Sequence, residues 1–197
     1  MTEEDVGASD QEVAALLERC RALLAGSTLT EPPRSGSGSL LITPVGLSPG
    51  VLYSGAVHVM PDCFLIVTSL DAAPRIPEAL EHAGVRDRPQ RVLSLDDPFL
   101  GYGEVDRYLG TEMDRALVGA GQVIANVTGG TTVMQYVVER LAARASRLGI
   151  PVRRCALIDR RTPEEQRAAP YALGELLWLG EESAELSPVP AGSAGEE

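Results

Sequence analysis

A strand pattern, a double-glycine turn and a helix pattern follow one another directly within residues 122–148. The apolar run at residues 122–125 is typical of a buried strand, and apolar residues recur at helical spacing from residue 133 onward. Gly129 and Gly130, which lie between them, permit a tight turn and let a ligand approach the backbone. The first N–H groups of a helix have no intrahelical acceptor and favour an anion. The stretch therefore predicts a strand–helix unit with an anion-binding turn.

A second stretch near residue 45 has the same order of features. A strand pattern at residues 40–45 is followed by Gly46, Leu47, Ser48 and Pro49, and then by a helix pattern at residues 50–59. Two such turns can converge on one edge of a parallel sheet, where α/β proteins bind ligands. Ser48 is equally suited to be the N-cap of a helix with proline at its first position. The sequence leaves both roles of Ser48 open.

Strand and helix patterns alternate along the middle of the chain. Strand patterns lie at residues 40–45, 63–67, 91–95, 122–125 and 152–158, and helix patterns at residues 50–59, 77–83, 103–119 and 135–148. Residues 171–179 favour one more strand, and Pro163 with Glu164 and Glu165 indicates the first turn of a short helix. This alternation predicts an α/β fold, with a Rossmann-like, mainly parallel sheet and helices on both of its faces. The helix at residues 103–119 is expected to place these residues inward: Val105, Leu109, Met113, Leu117 and Val118. The last helix pattern has its apolar residues at Val133, Val137, Leu141 and Leu148.

The two ends of the chain differ in character from residues 40–180, which we expect to form the folded domain. Residues 11–24 show an amphipathic helical stripe, and residues 28–39 are rich in Pro, Gly and Ser, as linkers are. The apolar face of this N-terminal helix needs a partner, either the fold itself or another chain. Residues 181–197 are acidic and poor in apolar residues, so we expect a disordered tail.

Composition excludes several classes of function. The net charge is −11 and all basic residues are arginines, which excludes lysine chemistry and makes a long nucleic acid a poor ligand. Cys20, Cys63 and Cys155 lack metal-ligand spacing, so we expect no metal and no cofactor, with the last two thiols buried. The sequence shows neither a signal peptide nor an apolar run that could span a membrane, so we expect a cytoplasmic protein without membrane contact.

Polar residues follow the other predicted strands as well. Thr68 follows the strand at residues 63–67, and Arg160 and Arg161 follow the strand at residues 152–158. Because carboxyl ends of parallel strands share one edge, we expect them near the two turns, in a pocket suited to phosphates and riboses. The expected ligand contacts are Gly46, Leu47, Ser48, Pro49, Thr68, Asn126, Thr128, Gly129, Gly130, Thr131, Thr132 and Met134.

Each of these features also has a purely structural interpretation. The sequence Asp159-Arg160-Arg161 is more typical of a solvated loop, and Asp96-Asp97-Pro98 is typical of a turn. His58 and His82 lack the neighbours of a catalytic triad, so we interpret both as structural or surface residues.

With these motifs in view, residues 40–179 resemble the CARF family, the CRISPR-associated Rossmann-fold sensor domains. The resemblance lies in residues 43–49, which read TPVGLSP, and in residues 126–134, which read NVTGGTTVM; it extends to residues 159–161 and 170–175. It implies a homodimer in which the two turns of each subunit line a shared pocket for a cyclic oligoadenylate, the second messenger of type III CRISPR defence. A two-fold-symmetric ring suits an isologous interface.

The resemblance also implies a reaction. Some members, the ring nucleases, cleave the cyclic ligand without metal, by attack of a ribose 2′-OH on its neighbouring phosphate. Many members have lysine where this chain has Thr132, so Arg160 or Arg161 would have to stabilise the developing charge, with Ser48 and Thr131 positioning the ribose and phosphate. The sequence has no C-terminal room for an effector domain, so we expect a stand-alone member.

Two other functions compete with the ring nuclease. One is a non-catalytic sensor or sponge that binds the messenger and acts on an effector partner chain through the N-terminal helix. The other is an ordinary dinucleotide-binding enzyme, which ranks last because the chain lacks a G-x-G-x-x-G motif and an acidic ribose ligand at the proper spacing.

Overall fold

The computed structural model describes residues 38–180, apart from the side chains at positions 107, 108, 111 and 112. The predicted N-terminal helix at residues 11–24 lies outside the described residues. So does the predicted tail at residues 181–197, and both remain predictions.

Six strands form one sheet, in the spatial order β3-β2-β1-β4-β5-β6. Neighbours among the first five are parallel, and β6 pairs antiparallel with β5 at the edge. The strands are β1 (Ser39–Val45), β2 (Cys63–Ser69), β3 (Gln90–Leu95), β4 (Gln122–Asn126), β5 (Val152–Ile158) and β6 (Glu175–Leu179). This arrangement confirms the predicted α/β, Rossmann-like fold, including the final strand.

Helices cover both faces of the sheet. They are α1 (Gly50–Val59), α2 (Ile76–His82), α3 (Val105–Tyr108), α4 (Thr111–Val118), α5 (Thr132–Arg147) and α6 (Pro163–Ala168), and short 3₁₀ turns precede α2 and α3. Residues of α4 and α5 pack with one face of the sheet, and residues of α1 and α2 pack with the other. Because both faces are covered, all residues of β1 and β2 after the first are buried, as their continuous apolar runs predict.

Two details of the predicted helices were wrong. The single helix expected at residues 103–119 is instead a 3₁₀ turn followed by α3 and α4, because Gly110 takes an extended conformation between the two helices. Val118, expected to face inward, is exposed. It is the last residue of α4, where the chain turns toward the next strand, so it does not face the sheet.

The predicted burial of Cys155 and the predicted short helix agree with the structure, whereas the Cys63 thiol is less buried than expected. Cys155 is fully buried and Cys63 partly buried, and burial raises the pKa of each thiol to about 11, so neither is a ready nucleophile.

The helix α6 begins with a capping box between Thr162 and Glu165. Within residues 38–180, no helix is long and apolar enough to cross a membrane.

Candidate functional site

The direction in which strands are added to the sheet reverses between β1 and β4. From β1 the chain builds β2 and β3 on one side, and it then crosses back to build β4 and β5 on the other side. In open α/β sheets, ligands bind beyond the carboxyl ends of the strands at such a switch point. The two glycine-containing turns directly follow these two strands, so the fold brings them to the place where a ligand is expected.

The two turns touch each other. A Cβ atom added at Gly46 would lie 3.1 Å from Cα of Gly130, and one added at Gly129 would lie 3.1 Å from both methyl groups of Val51 in α1. Gly129 and Gly130 have φ angles of 93° and 64°, a conformation that favours glycine. The contact leaves no room for larger residues, while Gly130 itself remains exposed to solvent.

A buried asparagine supports the second turn from below. The Asn126 side chain donates to Thr43 Oγ1 (2.9 Å) and to the Thr128 carbonyl (3.2 Å), and its Oδ1 accepts the Thr128 N–H (3.0 Å). Asn126 is fully buried. The structure therefore places Asn126 beneath the turn, where its side chain supports the backbone of Thr128, and the ligand contact expected from the sequence stays a prediction.

Three more of the expected ligand contacts also lie beneath or behind the turns. Thr68 is fully buried and donates to the Val45 carbonyl (2.8 Å), which fixes the end of β1. Thr128 accepts the Leu157 N–H (2.9 Å) and so joins the turn to β5. Met134 is buried in the core under Gly130. These side chains hold the site in shape because their polar or apolar groups are already engaged.

Thr131 is the N-cap of α5, as a threonine at this position suggests. Its Oγ1 accepts the Met134 N–H (3.4 Å) and donates to the Pro98 carbonyl in the loop after β3. Gln135, which the sequence did not single out, donates to the Gly129 carbonyl (3.2 Å). The amide groups of the first turn of α5 lie at the carboxyl edge of the sheet, where the helix dipole favours an anion.

Ser48 and Thr132 are the exposed hydroxyls of the two turns. The N-cap of α1 is Pro49, and no side chain caps this helix, so Ser48 does not have the capping role that the sequence left open. Leu47 is also exposed, whereas Pro49 is partly buried. Ser48 therefore has its hydroxyl at the surface beside the Gly46–Gly130 contact.

The two candidate catalytic arginines are paired with carboxylates. Arg160 makes two hydrogen bonds to Glu175, at 2.8 and 3.1 Å, and Arg161 binds Asp159 and also donates to the Ala169 carbonyl (2.7 Å). Hydrogen bonds from these guanidinium groups lower the pKa of Glu175 and of Asp159, so both carboxylates stay ionised near neutral pH. Such a pairing neutralises part of the charge of each arginine and occupies some of its five N–H donors, which weakens its attraction for a phosphate.

A shallow cleft connects Ser48 with Asp159. It is small and open to solvent, and it lies between the first turns of α1 and the segment after β5. Gly50 lines this cleft at a close backbone approach, since an added Cβ would lie 2.6 Å from the Pro170 carbonyl. Among the described residues, no cluster of three or more His, Cys, Asp or Glu side chains could hold a metal ion.

Both histidines have the structural roles that the sequence suggests. His58 Nε2 lies 2.6 Å from the Gly174 carbonyl, and His82 stacks on Tyr171 with ring centroids 3.9 Å apart.

The predicted turn at residues 96–98 is present, since Asp97 accepts N–H groups from the residues that follow. The sequence did not predict the role of Glu104, whose buried carboxylate accepts two N–H groups of the same loop. Glu104 lies in an amphipathic stretch, and nothing in that pattern indicates that a glutamate is buried there.

No family model matches the chain, and no curated protein matches it either. Among solved structures, it is similar to Can2 from Sulfobacillus thermosulfidooxidans in complex with cyclic tetra-adenylate, with 12% identity, a TM-score of 0.47, and 61% of this chain covered. It is similar to a type III CRISPR defence DNA nuclease activated by cyclic oligoadenylate, with 23% identity, a TM-score of 0.46 and 64% covered. A third is protein VC1899 from Vibrio cholerae, with 8% identity, a TM-score of 0.49 and 75% covered. The matches cover only 32%, 19% and 34% of those chains, respectively.

Proposed function

We propose that this chain binds a cyclic oligoadenylate of type III CRISPR defence, in a pocket that two copies of the chain form together. The observation that carries the proposal is the contact between the Gly46 turn and the Gly130 turn at the switch point of the sheet. Backbone N–H groups at the start of α5 suit phosphates even in a chain with a net charge of −11. The hydroxyls of Ser48 and Thr132 are available for phosphate or ribose oxygens.

We further propose that the bound ring is cleaved without metal. A ribose 2′-oxygen attacks the adjacent phosphorus and the bond from phosphorus to the 5′-oxygen breaks. The 2′-proton ends on the 5′-oxygen, which leaves a 2′,3′-cyclic phosphate. The two turns contribute by holding the attacking and leaving oxygens in line. Arg160 is the better candidate to stabilise charge, because Arg161 also holds the backbone of its own loop.

Binding without cleavage is the second candidate function. The specific observation in its favour is that Arg160 and Arg161 are both paired with carboxylates. Position 132 offers no cation in their place, because it is threonine where many CARF members have lysine. A sensor or sponge needs only the turns and the shared pocket. It would act through a partner chain, and the N-terminal segment is the proposed contact.

One experiment separates these functions. Labelled cyclic tri-, tetra- and hexa-adenylate, with linear oligoadenylate as a control, are incubated with the protein in EDTA, and both retention and cleavage are measured. We expect retention of a cyclic ligand over the linear one. Product that forms in EDTA and is lost when the ligand lacks its 2′-OH supports the nuclease. In that case Arg160→Ala should slow cleavage ~10²–10³-fold. Retention without product supports the sensor, and no retention of any ring contradicts both functions.

A substitution at position 132 tests where the phosphates lie. Thr132 is exposed at the first position of α5, so Thr132→Lys places a cation beside the proposed phosphate site. We expect binding to tighten about tenfold, or ~1.4 kcal/mol. Thr132→Gln, which adds similar length without charge, is the matched control and should leave the affinity near that of the wild type. Equal affinities of the Lys and Gln variants would place the phosphates elsewhere.

A further inference from the structure

The loop between β3 and α3 presents two large apolar side chains to solvent. Phe99 and Leu100 are 71% and 79% exposed, and they belong to residues 96–104, which we call the β3 loop. A single exposed leucine is ordinary in a soluble protein. Two adjacent apolar residues in a loop beside the candidate site are a different case, because exposed apolar patches mark interaction surfaces.

The β3 loop is fixed by its own hydrogen bonds. The buried carboxylate of Glu104 accepts the N–H groups of Asp96 and Asp97, at 3.0 and 2.9 Å. Asp97 Oδ1 in turn accepts the N–H groups of Phe99 and Leu100, both at 2.9 Å. These bonds therefore fix the backbone that carries the two apolar side chains before any partner arrives, which lowers the entropy cost of association.

The exposed side chains of the β3 loop indicate what kind of partner fits. The carboxylate of Glu104 and Oδ1 of Asp97 accept amide groups of their own loop, and Asp96 and Asp97 are exposed beside the apolar pair. The exposed apolar area of Phe99 and Leu100 fits an apolar surface. The carboxyl edge of this same chain provides one.

The apolar surface at this edge is larger than the loop alone. Leu47, after β1, is 67% exposed, and Leu70, after β2, is 53% exposed. The hydrogen bond from Thr131 to the Pro98 carbonyl joins the β3 loop to the second glycine turn. With Phe99 and Leu100, these four side chains expose on the order of 400 Å², about half of the ~800 Å² that each partner contributes to a standard interface.

We propose that the β3 loop anchors the association of this chain with a second copy, through Phe99 and Leu100. In a two-fold-symmetric interface each patch meets its own counterpart, so an apolar patch is matched by an apolar patch. This inference deepens the proposed function, because it rests on the second copy that the shared ligand pocket requires. It assigns the contact energy to the β3 loop, which lies outside the two turns at residues 43–49 and 126–134. Association through the β3 loop needs no ligand.

Sedimentation of the full chain without ligand, across the micromolar range, tests the anchor. We expect a reversible dimer for the wild type. We expect at least about a tenfold larger dissociation constant for the double variant Phe99→Ser, Leu100→Ser, since buried aromatic anchors dominate interface energies. Both side chains are exposed, so the double variant should fold normally. Its thermal unfolding, measured in parallel, confirms this.

The matched control is the double variant Val118→Ser, Leu177→Ser. These two residues are also about half exposed or more, but they lie at the end of α4 and in β6 rather than in the β3 loop. The control should dimerise like the wild type. A monomeric wild type, or equal dimerisation by the Phe99, Leu100 variant, overturns the anchor. Ring retention by the wild type, measured separately, decides the proposed function independently of this result.

Discussion

At the scale of single residues, Gly130 combines a structural role with its place in the candidate site. A Cβ atom at this position would lie 2.7 Å from Met134 Sδ and 3.1 Å from Pro44 Cβ, and the φ angle is 64°. Substitution there strains the backbone and the core together. Loss of ligand binding in a Gly130 variant therefore has to be interpreted beside its stability.

Gly84 provides a matched control for this position. Its φ angle is 69°, and nothing lies within 4 Å of an added Cβ. Gly84→Ala should lose only the cost of the left-handed conformation, about 1–2 kcal/mol. Gly130→Ala should lose more, by at least ~1 kcal/mol, because Met134 and Pro44 must also move. Denaturant unfolding of both variants measures the difference, and equal losses would show that the core absorbs the added atom freely.

The residue types of the candidate site could be predicted from the sequence, but their directions could not. A glycine pair between a strand and a helix fixes where the turn lies, so the backbone part of the site follows from the pattern. Asn126 and Thr68 are polar residues at strand ends, and local sequence does not say whether such a side chain faces a ligand or bonds to a neighbouring strand. Asn126 bonds to Thr43 and Thr68 bonds to Val45, and both partners lie in β1, far away in the sequence.

At the scale of elements, an ion pair fastens α4 to α5. Arg144 makes two hydrogen bonds to Asp114, at 2.8 and 2.6 Å. The hydrogen bond from Arg144 lowers the pKa of Asp114 below its usual value near 3.8. Because the folded pKa is the lower one, the stability from this pair is present above the unfolded pKa and is lost as pH falls through the folded pKa.

This linkage predicts how an Asp114→Asn variant behaves with pH. The variant should be less stable than the wild type at neutral pH, and the difference should shrink as pH falls below ~4, where the unfolded chain binds its proton. Glu81→Gln is the control, because the Glu81–Arg86 pair is more than half exposed on both sides. Urea unfolding at several pH values measures both differences. A difference for Asp114→Asn that persists undiminished at low pH would contradict the assignment.

The order of elements was predictable because strand and helix patterns alternate clearly in this chain. The break at Gly110 was not, since the apolar spacing continues across it from Leu109 to Met113 as it would in one helix. The β3 loop was predicted only in part, since the turn at residues 96–98 was expected but the conformation of the rest was not. Its conformation depends on a buried glutamate that bonds backward to the loop, and burial of a charged residue is decided by tertiary structure.

At the scale of the whole molecule, the fold presents an apolar edge on an acidic chain. The net charge of −11 opposes both a second copy and an anionic ligand at long range. Short-range features must therefore supply the attraction: apolar side chains for the second copy, and oriented amide groups for phosphates. This division of roles distinguishes the chain from proteins that attract nucleic acids with a basic surface.

The balance between repulsion and apolar contact predicts an unusual response to salt. Added sodium chloride shortens the Debye length from about 10 Å at 0.1 M to about 3 Å at 1 M, so it screens the repulsion between two copies that each carry −11. Dimerisation should therefore become tighter as the salt concentration rises, since salt does not weaken the apolar contact at Phe99 and Leu100. Sedimentation of the wild type at several salt concentrations measures the dissociation constant. The Phe99→Ser, Leu100→Ser variant should show the same direction of change at weaker overall association, because its net charge is unaltered. Association that weakens with salt would instead mean that ion pairs hold the two copies together, and the apolar anchor would then be wrong.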